Sequence, residues 1–513
     1  MTDISKGWIE VKLDDVCQIV RGITFPTDEK RFEPATGLIA CLRTTNVQAT
    51  VEWDDLWFVP RQHVKNVDQF VFLDDILIST ANSYELVGKV SRVTHIKFAS
   101  TLGAFISLLR SYNGINPGFL YHQMSSEGVQ RAIREMSSTT TNISNVSGTK
   151  LRTLELRLAP AAEQTRIVAK LEELLSDLDA GVAELKAAQK KLTQYRQSLL
   201  KAAVEGTLTA QWRAQHPPKE TGAQLLQRIL QERRARWEAK QLAKFKEQGK
   251  APPKDWQKKY LEPVQPDTTG LPVLPEGWVW SSLGECFQVA VGATPSRKEP
   301  EYWNGSIPWV SSGEVRFSRI TGTKEQITDE GLYNSSTQIN PVGSVLLGMI
   351  GEGKTRGQVA ILDIEAANNQ NCAALWVSET NIPPEFVYYW LWSQYEQTRR
   401  ESSGNNQPAL NKFIVERIGL PLAPVQELKQ IIRLVDNELD RILMQDTAIE
   451  HALKQSSAQR QNILRATFAG QLVPQDPNDE PARVLLARIR AERAEREAKK
   501  RLRHNAKLSR CKP

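Results

Sequence analysis

Residues 158–208 are written twice in this chain. The stretch LAPAAEQTRIVAKLEELLSDLDAGVAELKAAQKKLTQYRQSLLKAAVEGTL lies without a gap, at a shift of 264 residues, on LAPVQELKQIIRLVDNELDRILMQDTAIEHALKQSSAQRQNILRATFAGQL at 422–472. Identities fall at Leu158/Leu422, Ala159/Ala423, Pro160/Pro424, Glu163/Glu427, Ile167/Ile431, Arg196/Arg460, Gln197/Gln461, Leu200/Leu464, Ala202/Ala466 and Gly206/Gly470. A repeat with a domain-sized period is a tandem duplication, not a solenoid. It commits the chain to two versions of one architecture.

Each copy reads as one long helix. In the first, Ile167, Leu171, Leu174, Leu178, Leu185, Leu192 and Leu199 fall on a heptad seam, with Gly181, Ala188 and Tyr195 in its other slots. In the second, Ile431, Val435, Ile442, Ile449 and Ile463 recur, interrupted by Glu438, Gln445, Ser456 and Gln459. That spacing is a coiled-coil signal. Pro160 and Pro424 stand where a helix starts, Gly206 and Gly470 where one stops. About 40 residues give ~60 Å at ~1.5 Å per residue. Two such helices on one chain can pack on each other; a homodimeric coiled coil is the alternative.

The blocks between the helices also match. The first, 1–157, opens at Gly7-Trp8 and holds strand-like runs, a helix near 117–136, the polar stretch SSTTTNISNVSGTK and a return strand LRTLELRLAP. The block at 271–422 repeats that order. Gly277-Trp278 answers Gly7-Trp8, Gly292-Ala293-Thr294 answers Gly22-Ile23-Thr24, and IPWVSSGEV answers IACLRTTNV. Placement recurs while residue choices differ, as expected of two readers of two different sequences. The expected domains are 1–157, a spacer helix at 158–216, a basic helix with a proline-rich linker at 217–270, a second block at 271–422, a second spacer at 423–472 and a basic tail at 473–513. For the tail, a solvated and partly frayed helix is the simplest expectation.

Composition removes several function classes. A charged fraction of 24% and a hydrophobic fraction of 40% describe a soluble globular chain, and a net charge of +7 permits a polyanionic partner. The opening MTDISKGWIEVKLDD has no signal-type apolar core and no run reaches membrane-spanning length, so a cytoplasmic protein with no membrane partner is expected. Cys17, Cys41, Cys286, Cys372 and Cys511 are scattered without a CxxC pair, and the histidines show no HExxH, so neither a disulfide framework nor a metal site is expected. GMIGEGKT at 348–355 satisfies the phosphate-loop pattern, but RGQVAILDI after it reads as a strand where the motif needs a helix. No methyltransferase, nuclease or helicase motif set is visible, and no catalytic residue is assigned.

What remains is a set of loops that mix cations for phosphates with amides and hydroxyls for base edges. In the first block these give Arg21, Thr24, Arg43, Thr44, Thr45, Asn46, Asn82, Thr140, Thr141 and Asn142. In the second they give Thr294, Ser296, Arg297, Lys298, Ser311, Ser312, Lys354, Arg356, Asn369, Gln370, Asn405, Asn406 and Gln407.

The order GW…L…G.T, IPWVSSGEV, a polar loop, then LPLAP opening a long helix resembles the specificity (S) subunit of type I restriction–modification systems. The resemblance covers essentially the whole chain, and 348–359 is similar to that family's G..GK.A hairpin. The first half departs from it in lacking the PEGW form of 275–278 and the GNNQ.ALN form of 404–411.

The resemblance implies an α+β fold: two similar mixed α/β target-recognition domains joined by two long antiparallel coiled-coil-like helices, a pseudo-two-fold tandem repeat. It implies double-stranded DNA as partner, each domain reading one half of a split asymmetric site, with the helices as a ruler. It also implies two methyltransferase subunits that methylate an adenine flipped from the duplex, and restriction/translocase subunits. AdoMet, Mg2+ and ATP are then needed in those partners and no cofactor in this chain. Glu163, Arg166, Lys170, Glu427 and Lys429 are the expected docking residues. A nucleotide-dependent enzyme using Gly353-Lys354-Thr355 and a coiled-coil scaffold that does not read DNA are the alternatives.

Overall fold

The computed structural model describes residues 5–140, 142–351, 354–396 and 410–510. Contacts divide the chain into two compact units, Met1–Lys186 with Glu450–Pro513, and Ala187–Ile449. Each unit is a mixed α/β domain that takes one end of each of the two repeated helices.

In the first unit, Ile9–Lys12 pairs antiparallel with Glu155–Leu158, closing the block where it begins and ends. A four-stranded sheet follows in the order Cys17–Arg21, Ile106–Ser111, Ile76–Ser79, Val90–Arg92. A second sheet sets Leu38–Leu42 between antiparallel Trp57–Pro60 and parallel Ser100–Leu102. The second unit has the corresponding pairings. Val279–Ser282 pairs with Gly419–Leu422. Val289–Val291, Cys372–Leu375, Val345–Gly348 and Val359–Leu362 run in that order, with Ser318–Ile320 added at the edge. Trp303–Val310 lies between antiparallel Glu325–Ile327 and parallel Ala367–Asn368.

One crossing in each unit holds the two sheets together, and it needs glycine. Gly22 N–H donates to Ile106 O (3.1 Å) and Ile23 N–H to Leu102 O (2.7 Å), so the backbone passes directly over 102–106. A Cβ at Gly22 would lie 2.1 Å from Gly103 O, and one at Gly292 would lie 1.8 Å from Asn368 O. The glycine of the repeated G.T sequence is therefore a matter of backbone approach, not of turn geometry.

Among the described residues four long helices complete the units: α1 (Ala161–Val204), α2 (Gly222–Glu247), α3 (Val425–Phe468) and α4 (Ala482–Arg510). α1 and α3 stop at Gly206 and Gly470, whose φ values of 71° and 73° suit only glycine without strain. In the first unit Leu171 and Leu175 of α1 meet Leu464 of α3, and Arg460 bonds Asp179. In the second, Gln189 donates to Asp446 (3.2 Å) and Tyr195 to Glu438 (3.2 Å), so a polar seam position finds its partner across the pair.

α2 and α4 are not solvated tails. Leu225 and Ile229 of α2 enter the second unit's core, and Leu485, Leu486 and Ile489 of α4 enter the first unit's. Arg233 of α2 donates to Phe287 O (3.0 Å), while Arg493 of α4 donates to Asp14 O (2.6 Å). The expectation of a frayed basic tail is thus corrected for 482–493: an apolar stripe at helical spacing is buried among the arginines.

Two expected docking residues are also corrected, because Glu163 and Glu427 are 2% and 1% exposed. Glu427 Oε1 accepts from the Thr209 hydroxyl (2.7 Å) and Arg213 Nε (2.9 Å), and its Oε2 accepts from Trp278 Nε1 (2.9 Å). The first turn of α3 is thereby fastened to the loop after α1 and to the start of the second block. Glu163 is buried beside Trp8 without such a cation. Burial pushes its carboxyl above the usual range, against the opposing pull of the Trp8 indole and Arg166. Arg166 instead pairs with Asp479 (2.6 Å).

These paired sites predict opposite outcomes. Glu427→Gln leaves Arg213 without its counter-charge and is expected to cost roughly 3 kcal/mol, read as a lower melting temperature at neutral pH. Glu163 is harder to ionise folded than unfolded, so its penalty exists above the unfolded carboxylate pKa and vanishes in acid. Glu163→Gln should therefore raise the melting temperature at pH 7.5, with the gain fading as pH falls towards 4; a loss at pH 7.5 would contradict the assignment. Gly22→Ala and Gly292→Ala should each destabilise their own unit by about 3 kcal/mol or more, since backbone carbonyls cannot yield as a side chain can. Limited proteolysis of each variant would locate the opened unit.

Candidate nucleic-acid interface

The pinned crossing places two loops side by side in each unit. In the first they are 21–24 and 102–106; in the second, 291–294 and 368–372. A third loop follows the central strand of the smaller sheet, 43–46 and 311–314 respectively.

In the second unit, Thr294 Oγ1 donates to Gln370 Oε1 (2.6 Å), joining the first two loops through side chains. Gln370 is exposed, but Asn369 is turned inward, 7% exposed, its Oδ1 accepting the Asn371 N–H (3.1 Å). Arg297 lies 3.7 Å over the Trp303 ring and pairs with Glu325 (2.9 Å). That hydrogen bond raises the guanidinium's pKa and holds the Glu325 carboxyl below its usual range. The arginine is held by ring and carboxylate together, and Lys298 beside it is exposed. Ser296 O accepts from Trp303 Nε1 (3.1 Å), and Ser296 Oγ accepts the Lys298 N–H (3.3 Å). Ser311 is tied to Glu314 through its N–H (3.0 Å) and hydroxyl (2.8 Å), while Ser312 stands half-buried beside it.

In the first unit, Arg21 and Thr24 are exposed at the crossing. Arg43 lies 4.9 Å over Trp57 and donates to Asp55 O (3.0 Å); Thr44 is half-buried and Thr45 exposed. Asn46 is corrected as a contact residue. It is 2% exposed, its Oδ1 accepts the Arg43 N–H (2.9 Å), and its Nδ2 donates to Glu52 O and Asp54 O (both 3.0 Å). It builds the loop and faces away from any ligand. Asn369 is corrected for the same reason.

The polar stretch of the first block is a hairpin, Ser138–Thr140 against Ile143–Asn145, whose second strand pairs with Ala81–Asn82. This brings Thr140 and Asn142, both exposed, beside half-buried Asn82. A surface recess of about 480 Å³ opens there, lined by Arg21, Thr80, Phe105, Ser107, Ser138 and Lys150 among others. The sequence reading missed 103–105 altogether. Laying the parallel strand Ser100–Leu102 on Ala367–Asn368 puts those residues at the station of 369–371. Thr141, Gly353, Asn405, Asn406 and Gln407 lie outside the described residues.

The phosphate-loop match fails on geometry. After Val345–Gly348 the chain turns and returns antiparallel as Val359–Leu362, with Gly348 N–H donating to Gln358 O and Gly357 N–H to Gly348 O (both 2.8 Å). A phosphate loop must open a helix, and here a strand follows. Lys354 is exposed on that hairpin and Arg356 half-buried. Among the described residues no cluster of three or more His, Cys, Asp or Glu could hold a metal ion, and no helix is long and apolar enough to cross a membrane.

Comparison with known proteins agrees with this arrangement. A family model described as the type I restriction modification DNA specificity domain matches residues 5–188 and 275–454. The chain is similar to the EcoKI specificity subunit of Escherichia coli K12, 29% identical over 215 residues; the match takes in 42% of this chain and 46% of that relative, under half its length. It is also similar to the EcoBI specificity subunit of Escherichia coli, 24% identical over 516 residues, spanning 98% of this chain and 95% of that one. A solved structure described as "Structural basis underlying complex assembly and conformational transition of the type I R-M system" shares the fold at 17% identity. Its TM-score is 0.64, and the match covers 91% of this chain and 99% of that one. With the family model matching once in each repeat, and together over more than half of the sequence, the chain belongs to the type I restriction–modification DNA specificity family.

Proposed function

We propose that this chain is the DNA-reading subunit of a type I restriction–modification enzyme and supplies no chemistry of its own. The observation that carries the reading is that both units present the same loop stations on the same pinned crossing, with different side chains at each station. A duplicated scaffold with unlike loops suits a bipartite asymmetric site. Arg21, Thr24, Arg43, Thr140 and Asn142 would meet one half, and Arg297, Lys298, Gln370, Lys354 and the Asn405-Asn406-Gln407 stretch the other.

The chain is a pseudo-two-fold tandem repeat on this reading, with α1 and α3 an antiparallel coiled-coil-like pair. Contacts 171 with 464, 179 with 460 and 195 with 438, rising on one helix as they fall on the other, support that orientation. Two methyltransferase subunits would dock on those helices. Of the docking candidates, Lys429 is exposed, Lys170 half-buried and bonded to Glu173 (2.9 Å), and Arg166 is held by Asp479. AdoMet would serve the methyltransferases, and ATP with Mg2+ the restriction subunits.

Co-expression with the cognate methyltransferase subunit, followed by genome-wide mapping of methylated adenine, tests the reading. A split motif that appears only with the chain is the expected result. Exchanging residues 1–157, with Leu485, Leu486 and Ile489 of α4 matched to the new core, should change one half of the motif and leave the other. Methylation that ignores the chain, or none from an assembled complex, would sink the reading. Binding that ignores sequence and fades uniformly with salt would favour a phosphate-only scaffold.

A further inference from the structure

We propose that Phe105 is a specificity-determining residue of the first unit, and that its ring reads the 5-methyl group of a thymine in that unit's half-site. The proposal deepens the DNA-reading assignment and rests on it.

A single exposed phenylalanine is ordinary and carries no argument by exposure alone. The station is what singles this one out. Phe105 sits at the position of Asn371, in the loop 369–371 whose neighbouring Gln370 is exposed and bonded to Thr294. At the same place the first unit offers glycine, alanine and a ring that is 65% exposed. The backbone beneath the ring is fixed. Phe105 O accepts N–H bonds from Thr80 (2.9 Å) and Ala81 (3.3 Å), and Gly103 is pressed against the Gly22 crossing. The ring is therefore held outward from a rigid base, as a base-edge contact requires.

Its surroundings suit a duplex. Arg21 and Lys150 line the same recess, offering charge for backbone phosphates, and the Thr80, Ser107 and Ser138 hydroxyls give it a polar floor. Ala81, which holds the Phe105 carbonyl, pairs with Asn145 of the hairpin, and next to that strand's buried Ser144 stands Ile143, 56% exposed. A second apolar side chain thus projects from an adjoining strand. In the major groove the one apolar feature among the base edges is the thymine methyl, which side chains such as phenylalanine contact. The second unit, whose loop carries the exposed amide of Gln370 one residue earlier, would read donors and acceptors instead. Two domains of one scaffold would thus distinguish their half-sites by the chemistry of one shared three-residue loop.

The test uses the full complex of this chain with its methyltransferase subunits, on duplexes carrying the mapped motif. Each thymine of the half-site assigned to the first unit is replaced in turn by uracil, which removes only the 5-methyl group. At one position the replacement is expected to weaken binding by the wild-type complex about fourfold, the worth of one buried methyl. Phe105→Ala should bind the thymine and uracil duplexes equally, at the weakened level, while Phe105→Leu keeps part of the discrimination. An unchanged melting temperature for Phe105→Ala, expected of an exposed ring, separates reading from folding. Equal thymine-to-uracil losses in wild type and Phe105→Ala at every position overturn the proposal and leave the DNA-reading assignment standing. Absence of any chain-dependent motif overturns both.

Discussion

A buried carboxylate in the first turn of α3 ties the second unit together. Glu427 gathers Thr209, Arg213 and Trp278 around itself, so that three separated stretches of chain meet at one charge. An ion inside a protein is tolerated only when its lone pairs are satisfied, and here three donors satisfy them. The helix start, the connection that precedes α2 and the Gly-Trp opening of the second block must therefore arrive together. That coupling makes the second unit a unit, although its segments come from both repeats.

The pinned crossing does for the loops what the carboxylate does for the helices. Gly22 and Gly292 bring backbone onto backbone, which leaves no room for adjustment at that point. Everything distal to it can vary. Ala104-Phe105 and Gln370-Asn371 occupy one station, and Asn46 and Glu314 each tie the backbone of an equivalent turn with different atoms. A scaffold rigid at one crossing and free beyond it can change what it contacts without changing how it folds.

This division also explains which features were legible in the sequence. The duplication, the Gly-Trp openings and the G.T pairs could be read because burial and close approach restrict the residue type on their own. Asn46 and Asn369 could not be assigned, because a short amide that closes a turn and one that faces a ligand look alike in sequence. Glu163 and Glu427 looked like surface charges on a helix, and only the packing around them shows otherwise. In the tail, Leu485, Leu486 and Ile489 were outnumbered by arginines and read as solvated. Phe105 could not be read from the sequence, because an exposed ring in a loop carries none of the cations, amides and hydroxyls by which polar contact loops are recognised.

The two carboxylates, identical in the repeat, differ in environment for a reason that can be counted. From Gly206 to Gly222 the chain advances sixteen residues, and from Gly470 to Ala482, the position equivalent to Gly222, it advances twelve. Gly222 N–H donates to Gly277 O (2.7 Å) and Ala482 N–H to Gly7 O (3.0 Å), so both connections end at the same station. The four extra residues of the first connection accommodate the short helix Ala210–Gln215, which carries Arg213 to Glu427. The shorter connection carries no arginine, and Asp479 near its end reaches Arg166 instead. Glu163 therefore keeps the burial of its counterpart without the counter-charge, and its carboxyl is pushed up as a result. Divergence between the repeats thus extends beyond the exposed loops to the closure of the scaffold itself.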